Sequence, residues 1–246
     1  MQAARANLEE IGREILALSP RSKAIVAFSG HFEAGEIHGP GVIEVNHDFV
    51  NDFHDTRPSV YEYNWPRQNA PKLAAQLWQH LRNAGIKAKR VKRGVNHGIW
   101  VPFKILTFHG YDLESQLRLG EAIQSLRREG YLVVGSGIAV HLFASIQEIA
   151  DAAGEEKRKA VRAKVLAEST RFDEHLRNAV TKKNARVRQE ALLELEGLYE
   201  FRRSHPIVEH FTLLLVATGA ARDAEAFPLG VDLIEPGLSY LNLRFS

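Results

Sequence analysis

Residues Ala24 to Phe32 read AIVAFSGHF. Ala24, Ile25, Val26 and Ala27 form a continuous apolar run into Phe28, which then breaks at Ser29-Gly30. A short apolar run bounded by a turn signal reads as a strand buried on both faces of a parallel sheet. Its exit delivers His31 to the rim of that sheet, where open α/β sheets bind their ligands. The pattern recurs downstream: Tyr131 to Val134 is apolar, Gly135-Ser136-Gly137 follows as a turn, and His141 comes next. Two strand exits, each leading to a histidine, indicate one shared site.

Around these strands the chain alternates helical and extended patterns. Leu8, Ile11, Ile15 and Leu18 fall at helical spacing, opposite Glu9, Glu10 and Arg13, so Ala4 to Leu18 reads as an amphipathic helix ended by Ser19-Pro20. The region from Glu33 to Asn69 is long, polar and aromatic, contains His38, His47 and His54, and holds a short strand at Val42 to Val45. Loops of this length inside one domain tend to carry function. Pro71 opens a helix and Gly85 closes it, with Leu73, Leu77, Trp78 and Leu81 on its inner side. A basic strand from Lys87 to Lys92 leads to Asn96-His97-Gly98, which is turn chemistry, and Val101 to Phe108 begins as a helix. Leu113 to Arg128 is a further amphipathic helix closed by Gly130.

Glu155 to Phe201 is helical and dense in charge, with Arg158, Arg162, Arg171, Lys182 and Lys183 alternating with Glu155, Glu156, Glu168 and Glu190; such alternation reads as a solvated face. A last helix runs from Ile207 to Ala217 behind Pro206, with His210 in its first turns and Leu213 to Val216 buried. Leu238 to Phe245 alternates as a closing strand. The expected fold is a single α/β domain whose central, mostly parallel or mixed sheet is flanked by helices. Residues 1–20 form an N-terminal helix ahead of a domain spanning 21–246.

Composition narrows the chemistry. The chain has 246 residues, 45% of them hydrophobic, which is enough for one sizeable core. It has no cysteine, which excludes disulfides, thiolate metal sites and cysteine nucleophiles, so any metal must be held by histidine and carboxylate. The net charge is +2 with both signs interleaved, which leaves no footprint for nucleic acid. No apolar run approaches the roughly 20 residues that span a bilayer, and the first residues lack the apolar centre of a signal peptide, so a cytoplasmic protein is expected.

Of the eleven histidines, His80, His109 and His175 sit in or beside helices and read as surface or structural residues. His31, His97, His141 and His210 each follow a strand exit, a glycine turn or a helix start, where the backbone aims a side chain into a cleft. His38, His47, His54 and His205 stay open. Commoner motifs are absent: Gly135 to Val140 lacks the final glycine of a dinucleotide fingerprint, neither Ser29 nor Ser136 lies in a nucleophile elbow, and there is no H-E-x-x-H and no P-loop. A cysteine-free imidazole cluster suits iron(II) or zinc, and iron with open positions is the usual arrangement for activating dioxygen.

Four segments together resemble the class III extradiol dioxygenases of the DOPA 4,5-dioxygenase type. AIVAFSGHF is similar to that family's S-A-H-W segment, and Asn96-His97-Gly98-Ile99-Trp100-Val101-Pro102 to its D-H-G-x-W-x-P. Gly135-Ser136-Gly137 through His141 is similar to S-G-x-x-x-H-N, and His205-Pro206-x-x-Glu209-His210-Phe211 with Leu213 to Leu215 to H-P-x-x-E-H-x-x-P-L-L. The segments occur in family order from about Arg21 onward. The resemblance implies one divalent metal, Fe(II) or Zn(II), with His31 and His210 as ligands and His97 and His141 beside it as catalytic residues that bind the substrate and move protons. It implies a small catechol and dioxygen as partners, with both oxygen atoms inserted as the ring opens to a semialdehyde acid.

Departures from the family pattern define alternatives. Nothing before Ala24 resembles the family's H-G-x-P motif, a further apolar strand is missing between Ile105 and Leu117, Asn96 replaces an aspartate, and Leu142 replaces an asparagine. A truncated relative with weakened metal binding and no turnover is the second reading. A zinc-dependent hydrolase using the same histidines is the third.

Overall fold

The computed structural model describes residues 2–18, 20–29, 41–44, 71–92, 112–229 and 233–246. His31, His97 and the Val101–Phe108 segment lie outside them. Helix α1 spans Gln2–Ala17 and is followed by strand β1, Ile25–Ser29. Strand β2, Gly41–Glu44, helix α2, Pro71–Asn83, and strand β3, Ala88–Val91, come next. Helices α3, Leu113–Ala122, and α4, Gln124–Arg128, lead into β4, Leu132–Ser136. The helical half comprises α5, Phe143–Asp151, α6, Glu155–Val180, α7, Ala185–Glu194, a 3-10 turn at Leu195–Gly197, α8, Tyr199–Ser204, and α9, Glu209–Ala220. The chain closes with β5, Ala226–Leu229, β6, Ile234–Glu235, β7, Leu238–Ser239, and β8, Asn242–Phe245.

The α/β class stands. Strand β1 lies parallel to β4, from Ile25 beside Leu132 to Ser29 beside Ser136, so both strand exits open at one edge. Strands β2 and β3 also pair in parallel, while β5 with β8 and β6 with β7 are antiparallel. Pro71 is the first residue of α2, Leu73, Leu77 and Leu81 are buried, and Gly85 adopts φ +73°, the left-handed conformation that ends the helix.

Helix α9 is the axle of the molecule. Its Leu213 and Val216 join a core built with Val26, Phe28, Leu77 and Leu126, whereas its Phe211 and Leu215 join a second core with Leu142, Phe172, Leu176 and Phe201. A helix apolar on all sides is stable only when surrounded. Its crossing with α3 is backbone to backbone: a Cβ on Gly120 would lie 2.2 Å from the Val216 carbonyl oxygen, and one on Gly219 2.2 Å from that of Leu117. Glycine at both positions is therefore a packing requirement.

Four sequence expectations are corrected. The helix expected over Leu113 to Arg128 breaks at Ile123, which leaves the helical conformation at φ −105° and is fully buried. The last helix begins at Glu209, not behind Pro206, because α8 persists to Ser204 and Pro206-Ile207 form an exposed bend. The closing strand is two strands: the Leu241 amide bonds the Ser239 hydroxyl at 3.3 Å and the Asn242 side chain donates to the Tyr240 carbonyl at 3.0 Å. Side-chain bonds to the local backbone compete with a ladder in this way. The charged helices are not wholly solvated either. Glu168 and Asp173 of α6 and Arg188 of α7 are buried, and Arg188 donates to the carbonyls of Lys182 and Ala221, each at 3.2 Å.

Candidate metal centre

The site forms where the segment leaving β4 meets the first turn of α9. Gly135 and Gly137 permit the meeting: a Cβ on Gly135 would lie 2.6 Å from the Leu213 carbonyl oxygen, and one on Gly137 2.9 Å from that of His210. Gly135 itself is inside β4, so its role is close approach rather than the turn expected from sequence.

His141 is 3 % exposed and forms an antiparallel bridge with Leu238. His210, 6 % exposed, lies edge-on to it with ring centroids 4.6 Å apart and planes at 78°. One ligand atom each from His141, Glu209 and His210 fall within 4.8 Å of one another. Donors on one first-row ion, at bonds of about 2.1 Å, lie up to about 4 Å apart, so a spacing within 4.8 Å puts the three groups close enough to surround one ion. Two imidazoles and a carboxylate make the donor set typical of non-haem iron(II) oxygenases, and one compatible with zinc. Glu209 is the first residue of α9, where the helix dipole favours a carboxylate.

Two further side chains shape the centre. Phe143 stacks on His141 with centroids 4.6 Å apart at 26°, while 55 % of its own surface stays open. His205 stands edge-on behind His141 at 4.9 Å and is enclosed by Phe172, Phe201 and Phe211. Its Nε2 lies 2.9 Å from the Ala139 carbonyl, which can only accept, so the proton sits on Nε2. Burial pushes the His205 imidazole down to about 4; the Ala139 bond opposes that shift and His210 adds to it. His205, left open by the sequence, is a neutral core residue at neutral pH and adds no positive charge beside the donors.

Of the four histidines singled out from sequence, the structure brings His141 and His210 together, while His31 and His97 fall outside the described residues. His31 follows β1 by two residues, and β1 ends beside β4 at the same edge. Glu209 lies in the His205-Pro206-x-x-Glu209-His210 segment, and sequence reasoning missed it as a donor. The available signal was its place beside His210 at a helix start. His80 is half-buried beside Ser125 and Glu129, away from the centre, and His175 is exposed on α6. No helix among the described residues is long and apolar enough to cross a membrane.

Comparison with known proteins identifies the family and the fold. The family model described as the catalytic LigB subunit of aromatic ring-opening dioxygenase matches residues 1–240. The chain is 29% identical over 231 residues to a 4,5-DOPA dioxygenase extradiol-like protein of Schizosaccharomyces pombe, covering 86% of this chain and 72% of that one. It is 28% identical over 217 residues to 4,5-DOPA dioxygenase extradiol of Beta vulgaris, covering 82% and 75%. A crystal structure of an uncharacterized protein from Escherichia coli K12 superposes with a TM-score of 0.70 at 22% identity, covering 98% of this chain and 91% of that one, which shows the shared fold. The chain belongs to the LigB family of aromatic ring-opening, class III extradiol dioxygenases, whose members depend on a metal.

Proposed function

We propose that this protein is a metal-dependent extradiol dioxygenase that opens a catechol-type, DOPA-like ring with dioxygen, within aromatic compound metabolism. The observation that carries the reading is the convergence of His141, Glu209 and His210 at the strand exit. Family membership and relatives named for DOPA ring opening supply the reaction class. In this reading, residues 21–246 carry the site and α1 is an appended helix.

Glu209 and His210 hold the ion, with His31 as the further donor that the family resemblance implies. When bound, Fe(II) or Zn(II) acts as the Lewis acid that draws the catechol hydroxyls and dioxygen to one place. His141, against His210, takes the phenolic proton and returns it as the ring opens, and His97 is the second substrate-binding imidazole that the family resemblance implies; an imidazole suits this because it changes charge near neutral pH. Neutral His205 keeps a second cation out of a buried, already positive site, where it would carry a large desolvation cost. Phe143 shields the outer face of His141 from water. In the reaction both atoms of dioxygen enter the product, the carbon–carbon bond beside the two hydroxyls breaks, and one new end becomes an aldehyde and the other an acid.

The test is metal content and turnover together. One equivalent of iron, a yellow product from DOPA or catechol, and retention of both labels from 18O2 are the expected results. Ester or amide hydrolysis by a tightly zinc-loaded protein, or a folded protein with neither metal nor product, overturns the reading.

A further inference from the structure

The geometry points to a clamp that fixes the His141 ring from a distance: we propose that buried Asp173 and Ser169 of α6, acting through Ser239 and the Gly237 turn, are positioning residues for His141. This rests on the reading above, in which His141 belongs to the reacting site.

His141 lies beyond β4 in a segment of no regular structure, and its backbone is held by the β6–β7 hairpin on both sides. The Ser239 amide donates to the Val140 carbonyl at 3.1 Å, and the Leu142 amide donates to the Gly237 carbonyl at 2.7 Å. The hairpin is in turn fastened to α6. The Gly237 amide donates to the Ser169 hydroxyl at 2.9 Å, and the Ser239 hydroxyl donates to Asp173 Oδ1 at 2.6 Å. Arg177, one turn along α6, donates to the other carboxylate oxygen of Asp173. Ser169 is anchored by its own bond to the Val165 carbonyl at 2.8 Å.

Gly237 holds a conformation that strains any other residue. It adopts φ +93°, and a Cβ there would lie 2.6 Å from Ile146 Cγ1. Asp173 is 1 % exposed. A buried carboxylate and its partners are often no more stabilising than apolar residues of the same volume, so packing alone gives little reason for one at this position. Directional bonds to the hairpin that carries the backbone of His141 do give a reason. Groups that orient a ligand-bearing or proton-moving imidazole typically change metal affinity or activity about 10–100-fold when removed.

The experiment uses the full chain with Ser239→Ala, Asp173→Asn and Ser239→Thr, and Leu192→Ala in the second core as a control of matched thermal stability. Nitrogen–proton spectra of the histidine side chains are recorded on metal-free protein, with the His141 signal identified by its loss in His141→Gln. Zn2+ affinity is measured by chelator competition. The expected result is a shifted or broadened His141 signal in Ser239→Ala and Asp173→Asn with Zn2+ binding retained, an unchanged His175 signal, recovery of the His141 signal in Ser239→Thr, and no change in Leu192→Ala. An unmoved His141 signal in folded Ser239→Ala, or an equal change in Leu192→Ala, overturns the clamp. Should the unaltered chain bind no metal, the metal reading fails, and the His141 spectrum still decides the clamp.

Discussion

Glu209 and His141 lie in one cluster; the proposed function gives them different work, and substitution separates the two roles. Glu209→Gln keeps the size of the side chain and removes its charge, so metal affinity is expected to fall about 10–100-fold while the thermal midpoint stays close to that of the unaltered chain. Metal titration followed by a melting curve checks both. His141→Ala removes the proton carrier while Glu209 and His210 remain. Turnover is expected to fall about 10²–10⁴-fold, the usual contribution of general acid–base catalysis, with metal retained. Loss of the metal in His141→Ala would instead make His141 a ligand. Sequence alone made the two histidines legible, because each follows a signal that fixes backbone direction. Glu209 was not, because an acidic residue in the first turn of a helix has an ordinary reason to be there. Only the arrival of His141 from β4 gives it a second one.

At the scale of elements, the site depends on how closely α9 can approach β4. Gly137→Ala would place a methyl carbon 2.9 Å from the His210 carbonyl oxygen and 2.8 Å from Leu213 Cδ1, and a backbone carbonyl has little room to retreat. The expected cost is about 1–3 kcal/mol by urea unfolding, the range typical of overpacking, with metal binding weakened beyond what the stability loss explains. An unfolding midpoint and metal affinity within error of the parent would contradict this account of the contact. The elements read most directly from sequence were those with punctuation of their own: β1 with its Ser29-Gly30 exit, α2 between Pro71 and Gly85, and β4 before Gly137. The elements misread were those set by distant partners. Strand β7 ends at Ser239, whose side chain is engaged by Asp173 of α6, and Glu168 lies inward near Arg203 of α8. Neither contact has a signature at short sequence distance.

Across the whole molecule, burial of His205 links stability to pH. Its imidazole titrates at about 4 when folded, against about 6.5 for an exposed histidine. As pH falls the unfolded chain takes up this proton first, so the contribution is full above about pH 6.5 and is lost as pH drops toward 4, reaching about 3 kcal/mol. His205→Gln, measured without metal, is expected to flatten the stability profile across that window by one proton; an unchanged slope would contradict the assignment. The two cores that share α9 give this pH sensitivity a route to the site, since His205 packs on His141 and Phe211 together.

The central claim is that Glu209 and His210, with His141 against them, surround one divalent ion at the exit of β4. Anomalous diffraction from zinc-loaded crystals tests it most directly. The account predicts a single strong peak at bonding distance, about 2.0–2.2 Å, from the Glu209 carboxylate and the His210 imidazole. A peak elsewhere on the chain, with these two side chains left uncoordinated, would contradict it.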